Sequence, residues 1–218
     1  MQQLHKPYYP HRSISTIDAL AQTLGIQSEL LKEFAYNRVQ DSYTSFKIFT
    51  KPNKSRVVHS PKFELKRLQK RINSRIFEKV QYPYYLQGGI KDDENPRDYV
   101  KNANIHSHAN QIICIDVKNF YQNIKYEYVE KVFRFFFNFP PDVSEILTNL
   151  VTYNGRVPQG GCTSSYIANL IFYDTEYSLV SNLTNKNIRY SRLLDDITLS
   201  TIDEFSNVDK SKYIINIA

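Results

Sequence analysis

Between residues 15 and 36 the apolar positions Ile17, Leu20, Leu24, Leu30, Leu31 and Phe34 recur at helical spacing. Leu24-Gly25-Ile26 interrupts them, which predicts two short helices joined by a tight turn and packed on the body. A hairpin is predicted over residues 45–59. Phe46, Ile48 and Phe49 form one arm, Lys51-Pro52-Asn53-Lys54-Ser55 the turn, and Arg56-Val57-Val58-His59 the other arm. Ser60-Pro61 then opens a helix that turns Leu65, Leu68, Ile72 and Ile76 inward. Residues 87–110 read as a polar, turn-rich connection, and residues 111–117 as a buried strand ending in an acid. Helices follow over 126–139, 143–153 and 164–183, the last with Ile167, Leu170, Ile171 and Leu179 inward. Two short strands then flank Asp195-Asp196 within 189–200. This order predicts an α+β chain, closer to a split βαβ, ferredoxin-like sheet than to a doubly wound one.

Composition narrows the picture. The chain has 218 residues, 41% of them hydrophobic, which is enough for a sizeable core. No run approaches the ~18 apolar residues of a membrane span. The start, Met1-Gln2-Gln3-Leu4-His5-Lys6-Pro7, lacks the apolar stretch of a secretory leader, so a cytoplasmic location is expected. Cys114 and Cys162 are too few for a disulfide framework or a zinc site, and read as small buried side chains.

Charge is unevenly placed. Residues 47–79 hold eleven Lys and Arg against two acids, while the whole chain carries only +6. Arg67, Arg71 and Arg75 recur every four residues along the helix face away from its core stripe. Such a stripe suits a polyanion such as a phosphate backbone, although a solvated helix face accounts for many of them.

Three acids carry the candidate chemistry. Asp116 stands where an apolar strand leaves the core, and alone it reads equally as a turn or cap residue. Asp195-Asp196 lies between two strands, where adjacent carboxylates repel unless a cation intervenes. An ordinary exposed turn is the competing reading, yet the Asn or Gly that tight hairpin turns favour is missing. A strand-end Asp beside a hairpin Asp-Asp would cluster hard oxygen ligands for Mg²⁺ or Mn²⁺, the equipment of phosphoryl transfer.

At this point the sequence resembles the bacterial reverse transcriptases, the retron type in particular, over roughly residues 46–200. Val157-Pro158-Gln159-Gly160-Gly161 resembles the family's Pro-Gln-Gly motif, followed in order by Thr163-Ser164-Ser165 and Ala168-Asn169-Leu170. Ile115-Asp116-Val117-Lys118-Asn119-Phe120-Tyr121 resembles the first catalytic-aspartate motif, and Asn102-Ala103 with His106 a short motif upstream of it. Arg56-Val57-Val58, Pro61 and Leu65-Lys66-Arg67-Leu68-Gln69 resemble the fingers signature.

The resemblance implies a right-hand polymerase: an N-terminal helical extension (1–44), fingers (45–110) and a ferredoxin-like palm (111–218) without a thumb. It implies that Asp116 and Asp195 hold two Mg²⁺ ions, with Mn²⁺ as a substitute, helped by the Val117 carbonyl and more weakly by Asp196. It makes Tyr121 the ring that excludes a ribose 2′-OH by clash. Gln159 and Gly160 would meet the incoming nucleotide or its template base, Lys54 and Arg56 would grip the triphosphate, and Arg67, Arg71 and Arg75 would hold nucleic acid. The implied partners are a structured noncoding RNA template, a DNA primer and its product, dNTPs, and a second chain or further segment supplying the thumb. A role in antiviral defence or a retroelement also follows from the resemblance alone.

Two departures stand against it. The family's hairpin is Tyr-x-Asp-Asp, where this chain has Leu193-Leu194, and only 18 residues follow Ser200. Two other functions therefore stay open beside the polymerase: a non-catalytic RNA-binding subunit, and a nucleotidyltransferase that needs no template. Elsewhere plainer readings serve. His106 and His108 lack a third metal ligand, and Asp92-Asp93-Glu94 reads as a solvated loop. Phe133, Phe135, Phe136, Phe137 and Phe139 read as core plus a partner-facing surface.

Overall fold

A computed structural model describes residues 4–51 and 54–205. In chain order the elements are α1 (Ile17–Leu24), α2 (Ser28–Glu33), β1 (Tyr43–Lys51), β2 (Lys54–Pro61), α3 (Phe63–Arg75), β3 (Leu86–Gln87), α4 (Tyr99–Ile105) and β4 (Gln111–Asp116). They continue with α5 (Phe120–Asn123), α6 (Tyr126–Lys131), α7 (Pro141–Val151), α8 (Ser164–Leu170), α9 (Glu176–Thr184), β5 (Arg189–Leu193) and β6 (Asp196–Thr201). Mixed α+β architecture is as expected. The elements gather into two compact units, interleaved along the chain rather than consecutive: residues 4–7, 82–120 and 172–205, and residues 8–81 and 121–171.

The second unit holds the helices and the hairpin. The Thr16 side chain accepts from the Ala19 N–H and starts α1; Gly25, at φ 63°, ends it in the left-handed conformation. Leu20, Leu24 and Leu31 are buried, so the two helices pack inward as expected. Strands β1 and β2 pair antiparallel from Tyr43↔Pro61 to Lys51↔Lys54, with a register shift between Phe49 and Lys51. The turn residues Pro52 and Asn53 lie outside the described residues. Pro61 closes β2 instead of opening the helix; α3 begins two residues later, and Lys62 donates its backbone N–H to the Ser42 carbonyl. Leu65, Leu68, Ile72 and Ile76 are all buried.

Aromatic rings fill the centre of this unit. Phe77 stacks on Tyr166 at 5.6 Å and packs against Phe133 and Phe137, while Phe135 stays exposed. A buried amide joins four segments: Gln69 donates to the Tyr43 hydroxyl (2.8 Å) and the Leu150 carbonyl (2.9 Å), and accepts from the Cys162 N–H (3.0 Å).

The first unit is a sheet of order β3-β5-β6-β4, with β5, β6 and β4 successively antiparallel and β3 parallel to β5. Alternation along β5 sorts its faces: Tyr190 and Arg192 point to one side, Ser191 to the other. Helix α9 covers the first side through Glu176 and α4 the second through Asn102.

Several further expectations from the sequence do not hold. Strand β4 is not buried: it sits at the sheet edge, with Ile112, Cys114 and Asp116 on an exposed face, so Cys114 is exposed too. Its apolar run identified a strand but not how many neighbours it has. Residues 87–110 include α4, started by the Asp98 carboxylate accepting from the Val100 and Lys101 N–H groups. The helix expected over 164–183 is two helices, broken by turns between Leu170 and Glu176. Cys162 is half-buried. No helix among the described residues is long and apolar enough to cross a membrane.

Candidate active site

Antiparallel pairing of β4 with β6 sets Asp116 directly opposite Asp196. Side chains at opposed positions share a sheet face, with Cβ atoms about 4.5–5.5 Å apart. Leu194 and Asp195 form the turn between β5 and β6, and the Asp195 carbonyl accepts from the Val117 N–H at 3.0 Å. All three acids and Val117 therefore lie together at one end of the sheet. Asp116 and Asp196 are exposed and Asp195 half-buried. The Asp196 carboxyl titrates above its ordinary value, first from partial loss of water, then from the like charges of Asp195 and Asp116. Repulsion of this kind is relieved by a cation.

Among the described residues no three His, Cys, Asp or Glu side chains stand ready-arranged around one point. Mg²⁺ is commonly bound through one or two carboxylates together with waters and substrate phosphates. The donor set, all hard oxygens on an open face, fits.

The turn is braced from below. Leu194 has φ 60°, a left-handed conformation that costs a branched residue about 1 kcal/mol or more. Gly88, at φ 75°, lies so close that a Cβ there would be 2.6 Å from Leu193 Cδ1. The loop carrying Gly88 thus seats Leu193.

On the exposed-acid face, α4 secures both hairpin strands. Ser191 Oγ donates to Asn102 Oδ1 (2.6 Å), so its one proton is used and His106 Nε2–H must donate to it (2.7 Å). His106 Nδ1 then accepts from Ser200 Oγ (2.7 Å). Burial, and then the Arg189 charge, lower the His106 pKa to about 4, so the ring is a neutral strut between β5 and β6. Asn102 and His106 thereby acquire a structural role, and His108, exposed at φ 58°, shares none of it.

The remaining candidates belong to the other compact unit. Arg56 is exposed on β2 opposite Ile48. The Pro-Gln-Gly segment docks on the same strand: the Gln159 carbonyl accepts from the His59 N–H at 2.8 Å. Gly160, at φ 107°, leaves no room for a Cβ, which would sit 2.6 Å from Val58 Cγ1 and 3.1 Å from the His59 carbonyl oxygen. Its close approach is to the Val58 side chain and the His59 backbone of β2. Tyr121 is half-buried on α5, which the chain enters through Asn119 at φ 54°. The Lys54 side chain lies outside the described residues.

The arginine stripe is partly engaged. Arg71 Nη1 donates to the Leu24 and Gly25 carbonyls, and Arg75 Nη1 to the Thr23 carbonyl, capping the end of α1. Arg67 extends over the Phe63 ring, 5.9 Å from its centroid.

Sequence reasoning passed over Glu176 and Arg192, which form a buried ion pair behind the acids. The available signal was an arginine in a strand flanked by Ser191 and Leu193, a charge that needs a partner if the strand is central.

Residues 47–209 match the family described as reverse transcriptase (RNA-dependent DNA polymerase). The chain is 43% identical over 212 residues to the retron Se72 reverse transcriptase of Salmonella heidelberg, covering 97% of this chain and 55% of that protein. It is 34% identical over 215 residues to the retron Ec48 reverse transcriptase of Escherichia coli, covering 95% and 52% respectively. The chain thus spans about half the length of the curated relatives it matches. With aspartates paired across its sheet and more than half its length matched, the chain belongs to the reverse transcriptase family, and within it to the retron type.

Proposed function

We propose that this chain carries the nucleotide-adding centre of an RNA-directed DNA polymerase. The observation that carries the reading is the pairing of Asp116 with Asp196 beside Asp195, whose carbonyl is tied to Val117. In the proposed reaction a primer 3′-oxygen attacks the α-phosphorus of a dNTP. The bond from that phosphorus to the β-phosphate oxygen breaks, pyrophosphate leaves, and the hydroxyl proton passes to solvent.

Asp116 and Asp195 would hold two Mg²⁺ ions, with the Val117 carbonyl and Asp196 as lesser ligands. When bound, such ions neutralise charge on the polyphosphate and on the attacking and leaving oxygens. Arg56 and Lys54 of the hairpin, which we assign to the fingers, would hold the triphosphate. Gln159 and Gly160 would meet the nucleotide or its template base. Tyr121 would bar a ribose 2′-OH. Arg67, and Arg71 and Arg75 through donors left over from capping α1, would meet the nucleic-acid backbone. The sheet unit would be the palm, and polypeptide beyond this sequence or a partner chain would complete the grip on the duplex. The template would be a structured noncoding RNA.

A nucleic-acid-binding subunit without catalysis is the second reading, favoured by Leu193 occupying the tyrosine position. The test supplies purified protein with Mg²⁺, dNTPs and a primed RNA. Wild type is expected to extend the primer, and Asp195→Ala to lose roughly a hundredfold or more, the scale of removing one key electrostatic group. Asp196→Ala should lose less. Extension unchanged by both substitutions refutes the centre. Tight RNA binding with no extension supports the second reading, and extension without template points to a template-independent transferase.

A further inference from the structure

Behind the acid-bearing turn lies a buried ion pair that the proposed reaction does not use. Arg192 is fully buried and Glu176 nearly so. Arg192 Nε donates to Glu176 Oε1 at 2.6 Å and Nη2 to Oε2 at 2.9 Å, a two-pronged fit, and Tyr190 Oη donates to Oε1 at 2.7 Å. The guanidinium also lies 5.4 Å from the Phe172 ring centroid. Burial opposes the Arg192 charge, and Glu176 outweighs it.

A pair like this is a poor way to gain stability, since apolar residues of similar volume commonly do as well or better. Its geometry suggests another use. The third guanidinium nitrogen, Nη1, donates to the Leu194 carbonyl at 3.1 Å. Leu194 is the residue in the left-handed conformation, and its carbonyl belongs to the peptide bond that leads into Asp195. The next carbonyl, that of Asp195, accepts from the Val117 N–H. Both peptide planes flanking Asp195 are therefore tied, one to Arg192 and one to the strand bearing Asp116.

We propose that Arg192, oriented by Glu176, is a positioning residue that holds the strained Leu194 peptide and so fixes the direction in which Asp195 presents its carboxylate. Lysine at 192 keeps the charge but has a single nitrogen, which cannot serve both Glu176 oxygens and the Leu194 carbonyl in this planar arrangement. The inference rests on the polymerase reading of the same acids, and the test separates the two.

Single-nucleotide addition is measured for wild type, Arg192→Lys, Glu176→Gln, Arg192→Lys with Leu194→Gly, and Asp195→Asn, with folding followed by circular dichroism at the assay temperature. Arg192→Lys is expected to slow addition by about tenfold or more while the dNTP KM stays within about twofold, because misplacing a reacting group acts on the chemical step. It should also raise the Mg²⁺ concentration needed for half-maximal rate. Glycine at 194 adopts φ above zero without strain, so the double variant should recover part of the rate without recovering thermal stability. A wild-type rate in folded Arg192→Lys overturns the proposal. Unfolding of both Arg192→Lys and Glu176→Gln at the assay temperature also overturns it, by making the pair a stability element. If Asp195→Asn retains full activity, the polymerase reading itself fails; if it is inactive while Arg192→Lys is unaffected, only the positioning role falls.

Discussion

Lowering the pH from 8 to 5 is expected to destabilise this protein through one side chain, His106. In the folded chain its ring is buried, donates to Ser191 and accepts from Ser200, and its pKa is lowered to about 4 by burial and by Arg189. An unfolded histidine titrates near 6.5. The unfolded chain therefore takes up a proton first as the pH falls. The stabilising contribution is complete above about 6.5 and is lost progressively on the way down to about 4. Between those two values the linkage integral to pH 5 is about 2 kcal/mol. His106→Gln is the comparator, because an amide supplies both a donor and an acceptor group and takes up no proton in this range. Urea unfolding of both proteins at pH 8, 6.5 and 5 gives the stabilities. Wild type should lose about 2 kcal/mol more than His106→Gln between the extremes. Parallel losses would refute the neutral, doubly bonded ring.

Two further substitutions test the packing within each compact unit. Gly88→Ala forces a Cβ to within 2.6 Å of Leu193 Cδ1 at φ 75° and should cost about 1–3 kcal/mol in urea unfolding; adding Leu193→Ala should recover part of that, the backbone strain remaining. Gln69→Leu removes the partner of the buried Leu150 carbonyl and of the half-buried Cys162 N–H and should lower stability by about 2–4 kcal/mol, measured as a fall in urea midpoint at unchanged slope.

The sequence made some of this legible and hid the rest for physical reasons. The hairpin, the inward face of α3 and the strands around Asp195-Asp196 follow from periodicity, because each has one face that must be buried. The strand-end and turn positions suggest that Asp116 meets those acids, and motif order sharpens this; register, which decides it, is not written in either strand alone. Ile112-Ile113-Cys114-Ile115 reads as buried in the sequence because an apolar run does not distinguish an edge strand from a central one. Helix α4 was hidden in a polar stretch whose start signal, Asp98, was available but isolated. Arg71 and Arg75 looked like a free cationic stripe because the carbonyls they cap lie some fifty residues away in the chain. The Arg192–Glu176 pair and the His106 strut are likewise contacts distant in sequence, made by residue types that read as surface until a burying neighbour is known.

In the proposed centre, the carboxylates of Asp116 and the Asp195-Asp196 turn share divalent cations. Iron-directed cleavage can show whether they do. With Fe²⁺ in place of Mg²⁺, ascorbate and peroxide generate hydroxyl radicals that cut the backbone beside the bound ion. Cuts are expected next to Asp116 and next to Asp195-Asp196, both suppressed by excess Mg²⁺ and both lost in Asp116→Asn. Cleavage confined to other parts of the chain, or a pattern unaltered by that substitution, would contradict the proposed centre.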